Sequence, residues 1–253
     1  MSPWNPIIMI PARMGSTRLP GKPLADIGGQ PMIVHVWRRC IDADVGSVVV
    51  ACSEEEVYNA VLRAGGVAVM TDPSLPSGSD RVFAALQQCD PNSQHQVVIN
   101  VQGDLPTLDP SLIRAALEPL GNPAVDIATL VAQIKSEEEA DSPNVVKVAV
   151  GYAPDQRVGR ALYFSRARIP AGIGPLWHHI GLYAYRRKAL ERFVALPPGI
   201  LEARESLEQL RALENGLRID CVKVETVPLG VDAPKDLALA RQLLCGSELT
   251  VGS

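Results

Sequence analysis

"IIMIPARMGSTRLPGKPL", residues 7 to 24, joins an apolar run to a loop with two glycines and three cations, Arg13, Arg18 and Lys22. Short, mostly β-branched runs of this kind suit strands buried on both faces of a parallel sheet. "SVVVA" (47–51), "VAVM" (67–70) and "VVINV" (97–101) repeat the pattern, with helix-like segments near 31–42, 54–64, 79–89 and 110–120. Strand and helix in turn imply right-handed βαβ units, hence an α/β fold with a doubly wound, mostly parallel sheet.

The second half reads differently. "DIATLVAQI" (126–134), "VVKVAV" (145–150), "ALYFS" (161–165) and "HIGLYAYR" (179–186) are strand-like, with fewer helices between them. They are expected to form a smaller mixed-sheet part that covers one side of the site and offers a dimer surface. Helices near 187–195 and 203–215, a strand at 219–226 and a closing helix at 234–244 complete the expectation. No repeat or low-complexity linker divides the chain, so 1–245 reads as a single domain, with roughly 126–186 as its mixed-sheet part and 246–253 as a frayed tail.

Composition narrows the function. A net charge of −4 leaves no basic stripe for nucleic acid. No apolar run approaches the roughly 20 residues needed to span a bilayer, so no stable membrane association is expected. "MSPWNP" lacks the basic and apolar regions of a signal peptide, and the expected location is cytoplasmic. Five scattered cysteines, none in a C-x-x-C pair, argue against a disulfide framework and a structural zinc site.

The opening loop is not a Walker motif, which has four residues between its glycines and Ser or Thr after the lysine. Here five residues separate Gly15 from Gly21, and Pro23 follows Lys22. Ligands of open parallel sheets bind where loops leave the carboxyl ends of strands. Exposed backbone N–H groups with Arg13, Arg18 and Lys22 would make an anion cradle there. The plain alternative is a solvated loop whose glycines and prolines only set turns.

In "VVINVQGDLP" (97–106), Asp104 stands just past a buried strand on a glycine turn. It reads equally as a Mg2+ ligand beside a polyphosphate and as a turn aspartate bonding its own backbone. Asp232 in "PLGVDAPKDL" is by itself an ordinary helix-start residue. "PSGSDR" (76–81) supplies Ser77, Gly78 and Arg81 at a helix start. In "LWHHIGLYAYR", alternation puts His179 and Tyr183 on one face and His178 on the other. "ESLEQLRAL" is helical, and its Glu208 and Gln209 face either the site or solvent.

Together these stretches resemble the 3-deoxy-manno-octulosonate (Kdo) cytidylyltransferase, or CMP-Kdo synthetase, family. The resemblance rests on "IIMIPARMGSTRLPGKPLADIGGQPMIVHV", "SGSDR", "NVQGDLP", "PNVVKV", "ALYFSRARIP", "HIGLYAYR", "ESLEQLR" and "GVDAPKDL", which run in family order along nearly the whole chain. It implies a nucleotide-diphospho-sugar transferase-like fold, a homodimer, and substrates CTP and Kdo. The reaction it implies yields CMP-Kdo and pyrophosphate for lipopolysaccharide biosynthesis. By the same resemblance Arg13, Lys22, Asp104 and Asp232 are catalytic, with Asp104 and Asp232 holding Mg2+. Pro11, Ala12, Arg13, Lys22, Ser77, Gly78, Arg81 and Gln102 would bind the nucleotide. Gln102, Arg166, His179, Tyr183, Glu208 and Gln209 would bind the sugar, Arg166 meeting its carboxylate.

This chain departs from the family in places. Leu105 stands where "GDEP" has Glu, Cys52-Ser53 where Thr-Asp is frequent, and Leu75-Pro76 where His-Gln precedes "SG". The segment before "HHIGLY" is short. The alternatives are CMP transfer to another acidic sugar, 8-amino-Kdo or sialic acid, and a non-catalytic CTP-binding protein. A nucleotide-binding oxidoreductase is disfavoured, because no G-x-G-x-x-G follows the first strand.

Overall fold

The computed structural model describes residues 4–16, 18–153 and 155–246. The chain divides into two compact units, one of residues 1–111 and 228–253, the other of 112–227. The tail expected to fray lies, beyond Gly246, outside the described residues.

The first unit opens with β1 (Pro6–Ala12), followed by a short hairpin of β2 (Asp26–Ile27) and β3 (Gln30–Pro31). Then come α1 (Met32–Asp42), β4 (Ser47–Cys52), α2 (Glu55–Arg63), β5 (Val67–Met70), α3 (Gly78–Cys89) and β6 (Val97–Asn100). Strands β5, β4, β1 and β6 lie side by side and all parallel. Ile7, Ile8, Met9 and Ile10 of β1 and all four residues of β6 are buried, as continuous apolar strands covered on both faces must be. The hairpin was not expected, although "GG" marks it. Gly28 and Gly29 sit at φ 58° and 79°, as a tight two-residue turn between antiparallel strands requires.

The last helix, Pro234–Cys245, packs back on that hairpin. Val231, Leu237 and Ala240 share a core with Ile27 and Met32, and Leu19 of the opening loop packs against it. This small core fixes the loop that carries Asp232.

The second unit holds β7 (Ile127–Gln133), β8 (Lys147–Gly151), β9 (Val158–Ser165), β10 (Trp177–Arg186) and β11 (Ile219–Val224). Their order is β10-β7-β11-β9-β8, with one parallel pair, β7 and β11, among antiparallel ones. Strand β8 also pairs with β10 at Lys147 and His178, joining the two ends of that order.

Two helices differ from expectation. The segment 110–120 is helical only to Ala115 and then turns as a 3-10 segment, Glu118–Gly121, around Pro119. The helix expected over 203–215 is two short ones, Ile200–Glu205 and Gln209–Glu214, separated by Ser206 in the left-handed conformation at φ 54°. The break has a cause. The Glu205 carboxylate accepts from the Ser165 and Tyr163 hydroxyls and from the Arg166 backbone N–H, which pins the chain to the end of β9.

Candidate active site

A cavity of about 250 Å³ in the first unit brings together Pro11, Ala12, Arg13, Lys22, Ser77, Gly78, Arg81, Gln102 and Asp104. These are all eight residues expected on the nucleotide side, plus one expected metal ligand. The carboxyl end of β1 supplies Pro11 and Ala12, the loop after β6 supplies Gln102 and Asp104, and α3 begins at Gly78. A side chain at Gly103 would meet the Pro11 carbonyl at 2.8 Å, so only glycine lets the two loops approach this closely. Ser77 caps α3 by accepting from the Asp80 N–H and also donates its hydroxyl to Asp80.

Lys22 is the hub. Gly21, at φ 69°, turns the chain into a one-turn 3-10 helix that starts with Lys22. The Lys22 ammonium donates to Asp104 Oδ2 at 2.8 Å and to Asp232 Oδ1 at 3.1 Å. Burial disfavours the ammonium, but the two carboxylates more than offset it and raise the lysine above its ordinary pKa. Arg18, expected in the anion cradle, pairs with the other Asp232 oxygen at 3.2 Å. The backbone joins the same pieces, since the Val231 N–H donates to the Asp104 carbonyl at 2.9 Å. Asp236 then fixes the Asp232 turn by accepting from the N–H groups of Asp232 and Ala233. Asp104 and Asp232 are therefore brought together, and neither spends its carboxylate on its own turn.

Among the described residues no cluster of three or more His, Cys, Asp or Glu side chains could cage a metal ion. Two carboxylates on one lysine instead suit a hard divalent ion that takes its remaining oxygens from phosphate and water. Leu105 adds no further acid. It is only 8% exposed, and a side chain at Gly230 would be in ordinary contact with it. Leu75 lines the cavity. Cys52 is buried with its thiol against the Val69 carbonyl, and burial pushes its pKa up to about 11.

Arg166, His179, Tyr183, Glu208 and Gln209 lie in the second unit. Opposite Thr129, β10 shifts register, pairing Ile180 with Leu130 and then Tyr183 with Thr129. The Thr129 hydroxyl lies 3.1 Å from the Ile180 carbonyl and 2.9 Å from the Leu182 carbonyl. An unbroken strand would separate residues four apart by roughly 13 Å. The bulge instead sets the His179 and Tyr183 rings 5.5 Å apart on one face. With its hydrogen on a carbonyl, Thr129 accepts from His179 Nε2–H at 3.0 Å, which leaves Nδ1 as an acceptor. Burial, with a smaller effect of His178, lowers the His179 pKa to about 3. His178 faces away, onto Glu139 at 2.7 Å.

The Arg166 guanidinium donates to the carbonyls of Glu205, Pro143 and Ser206. The buried Lys147 ammonium donates to the carbonyls of Ser142, Val145 and Arg166. Lys147 and Glu205 lie in "PNVVKV" and "ESLEQLR", but nothing in either stretch marks them as partners of Arg166; the fold shows that both hold it.

The cytidylyltransferase family pattern matches residues 7–219. A 3-deoxy-manno-octulosonate cytidylyltransferase of Paramagnetospirillum magneticum is 66% identical over 96% of this chain and 99% of its own. That of Rhodospirillum rubrum is 62% identical over 94% of this chain and 95% of its own. Among solved structures, a CMP:2-keto-3-deoxy-manno-octonic acid synthetase complexed with CTP superposes with a TM-score of 0.87 at 38% identity, covering 96% of this chain and 99% of that one. A nucleotidyl transferase of Methanothermobacter, at 14% identity and a TM-score of 0.61, covers 96% of this chain and 98% of its own and shares the fold.

Proposed function

The chain belongs to the cytidylyltransferase family, and from that premise we propose that it transfers CMP from CTP to Kdo. The anomeric hydroxyl of the sugar attacks the α-phosphorus in line, an O–P bond forms, and pyrophosphate leaves. No covalent enzyme intermediate is needed, so positioning and charge neutralisation carry the catalysis. The observation that carries this reading is the Lys22 ammonium beside Asp104 and Asp232 at the cationic cavity. It is a site for a polyphosphate and a divalent cation together.

In this reading Arg13 and Lys22 neutralise the phosphates, while Pro11, Ala12, Ser77, Gly78 and Arg81 line the base and ribose. Asp104 and Asp232 are the residues that would hold Mg2+, which when bound neutralises phosphate charge and favours loss of the hydroxyl proton. Arg166 meets the sugar carboxylate with the N–H groups its three carbonyls leave over. Gln102, His179, Tyr183, Glu208 and Gln209 take sugar hydroxyls, His179 as an acceptor at Nδ1.

A homodimer formed through the second unit is part of the proposal, supported by Leu162 and Ile173, which are exposed apolar residues there. A cytoplasmic location, where CTP is made, is another part. No helix among the described residues is long and apolar enough to cross a membrane.

The test is pyrophosphate release by purified protein with CTP, Mg2+ and Kdo, each omitted in turn, with sialic acid and 8-amino-Kdo as rival acceptors. Release that needs all three components supports the reading. Release with a rival sugar alone moves the acceptor, and silence with every sugar despite CTP binding overturns catalysis.

A further inference from the structure

We propose that Thr71 is a positioning residue that sets the preference for CTP over UTP by fixing the Arg81 guanidinium beside the nucleotide cavity. The inference rests on the reading that the base occupies this cavity. Arg81 lines it, yet is only 2% exposed. Its Nη1 donates to the Thr71 hydroxyl at 2.5 Å. That hydroxyl donates its single hydrogen to the Cys52 carbonyl at 3.0 Å, and the Thr71 backbone N–H donates to the same carbonyl at 2.8 Å.

Thr71 is thus tied at two points to the end of β4. Its hydrogen is committed, so toward Arg81 it can only accept. A serine hydroxyl can make the same arrangement, and a valine of the same shape cannot.

The other end of the guanidinium is unmet. Nη2 is buried and has no acceptor among the described residues. A buried donor without a partner is disfavoured, and a ligand that supplies an acceptor relieves that cost. Glu54 favours the charge through space, but its Oε2 is likewise buried with no hydrogen-bond partner. Charge balance therefore comes from Glu54 and orientation from Thr71.

Arginine carries donors only. Cytosine presents two adjacent acceptors, O2 and N3. Uracil keeps O2 but carries N3–H, a donor, in the second place. A guanidinium held at that edge accepts cytosine and opposes uracil, and a site built to pair a polar group rejects an analogue that leaves it unpaired. A guanidinium free to swing would lose that discrimination.

The experiment uses the full chain and the variants Thr71→Val, Thr71→Ser and Arg81→Lys. Steady-state rates with CTP and with UTP are measured, with thermal melting as the check on folding. Thr71→Val is expected to raise the KM for CTP about tenfold with kcat within about twofold, and to lower the CTP/UTP ratio of kcat/KM about tenfold. Thr71→Ser is expected to keep both near the parent values. Thr71→Ala replaces Thr71→Val if the latter does not fold, with the same expected ratio. A folded Thr71→Val or Thr71→Ala protein with an unchanged ratio, while Arg81→Lys lowers it, overturns the role of Thr71. An unchanged ratio in Arg81→Lys as well overturns the placement of the base beside Arg81.

Discussion

The Lys22 ammonium lies 2.8 Å from the Asp104 carboxylate and holds Asp232 at 3.1 Å with its remaining reach. It stands between the two acids proposed to hold a metal, so on that reading a bound metal would have to share or displace the lysine's oxygens. Lys22→Met is expected to lower kcat/KM for CTP about a hundredfold, as loss of one charged contact to the reacting phosphates does elsewhere. In the same variant without nucleotide, Mn2+ affinity is expected to rise about tenfold, because two partly buried carboxylates lose their shared cation. Electron paramagnetic resonance of free Mn2+ measures this without turnover. Unchanged Mn2+ affinity would show that lysine and metal do not share the site.

Leu105 directly follows Asp104 and is buried. Leu105→Glu is expected to lower the free energy of unfolding by about 3 kcal/mol, since it buries a second carboxylate next to Asp104. No gain in turnover is expected. Urea unfolding and the steady-state rate at saturating CTP check the two halves separately.

Arg166 serves structure and the proposed sugar site with one side chain. Its fork reaches the Glu205, Pro143 and Ser206 carbonyls from three separate nitrogens, whereas a lysine there would bring a single nitrogen to one point. Arg166→Lys is expected to cost about 2 kcal/mol of stability and to raise the KM for Kdo more than about tenfold. A stability loss with an unchanged KM for Kdo would reduce Arg166 to a structural staple.

His179 predicts a pH dependence. Its pKa is depressed from the ordinary value of 6.5 to about 3 by burial, helped by His178. The unfolded chain therefore binds a proton below about pH 6.5 that the native state refuses. The stability from this site is fully present above that pH and is lost as pH falls toward 3. The slope should approach about 1.4 kcal/mol per pH unit in that window. Denaturant melts from pH 7 to 4 measure it, and His179→Gln is expected to remove this component.

Much of the first unit was legible because its information is local. Ile7–Ile10, Val48–Ala51 and Val97–Asn100 are apolar at every position, and only strands covered on both faces need that. The loop after β1 was legible for the same reason, because its glycines and cations stand next to one another. Asp104 was ambiguous and Asp232 unremarkable, since each is an acid on a turn when seen alone.

Tertiary structure decided what those acids are. They lie 82 and 210 residues from Lys22, and the Val231 to Asp104 backbone bond brings their loops together. It also decided that His179 and Tyr183 are neighbours, through a bulge pinned by Thr129, and that the helix near 205 breaks where Glu205 turns to β9. Thr71 carries no chemical signature in "MTDP", yet its hydroxyl accepts from Nη1 of Arg81. Periodicity and short motifs record contacts within a strand, helix or loop. Side-chain partners far apart in sequence exist only once the chain has closed, so the sequence alone determined the sheet and the loop, and the fold decided the charges they gather.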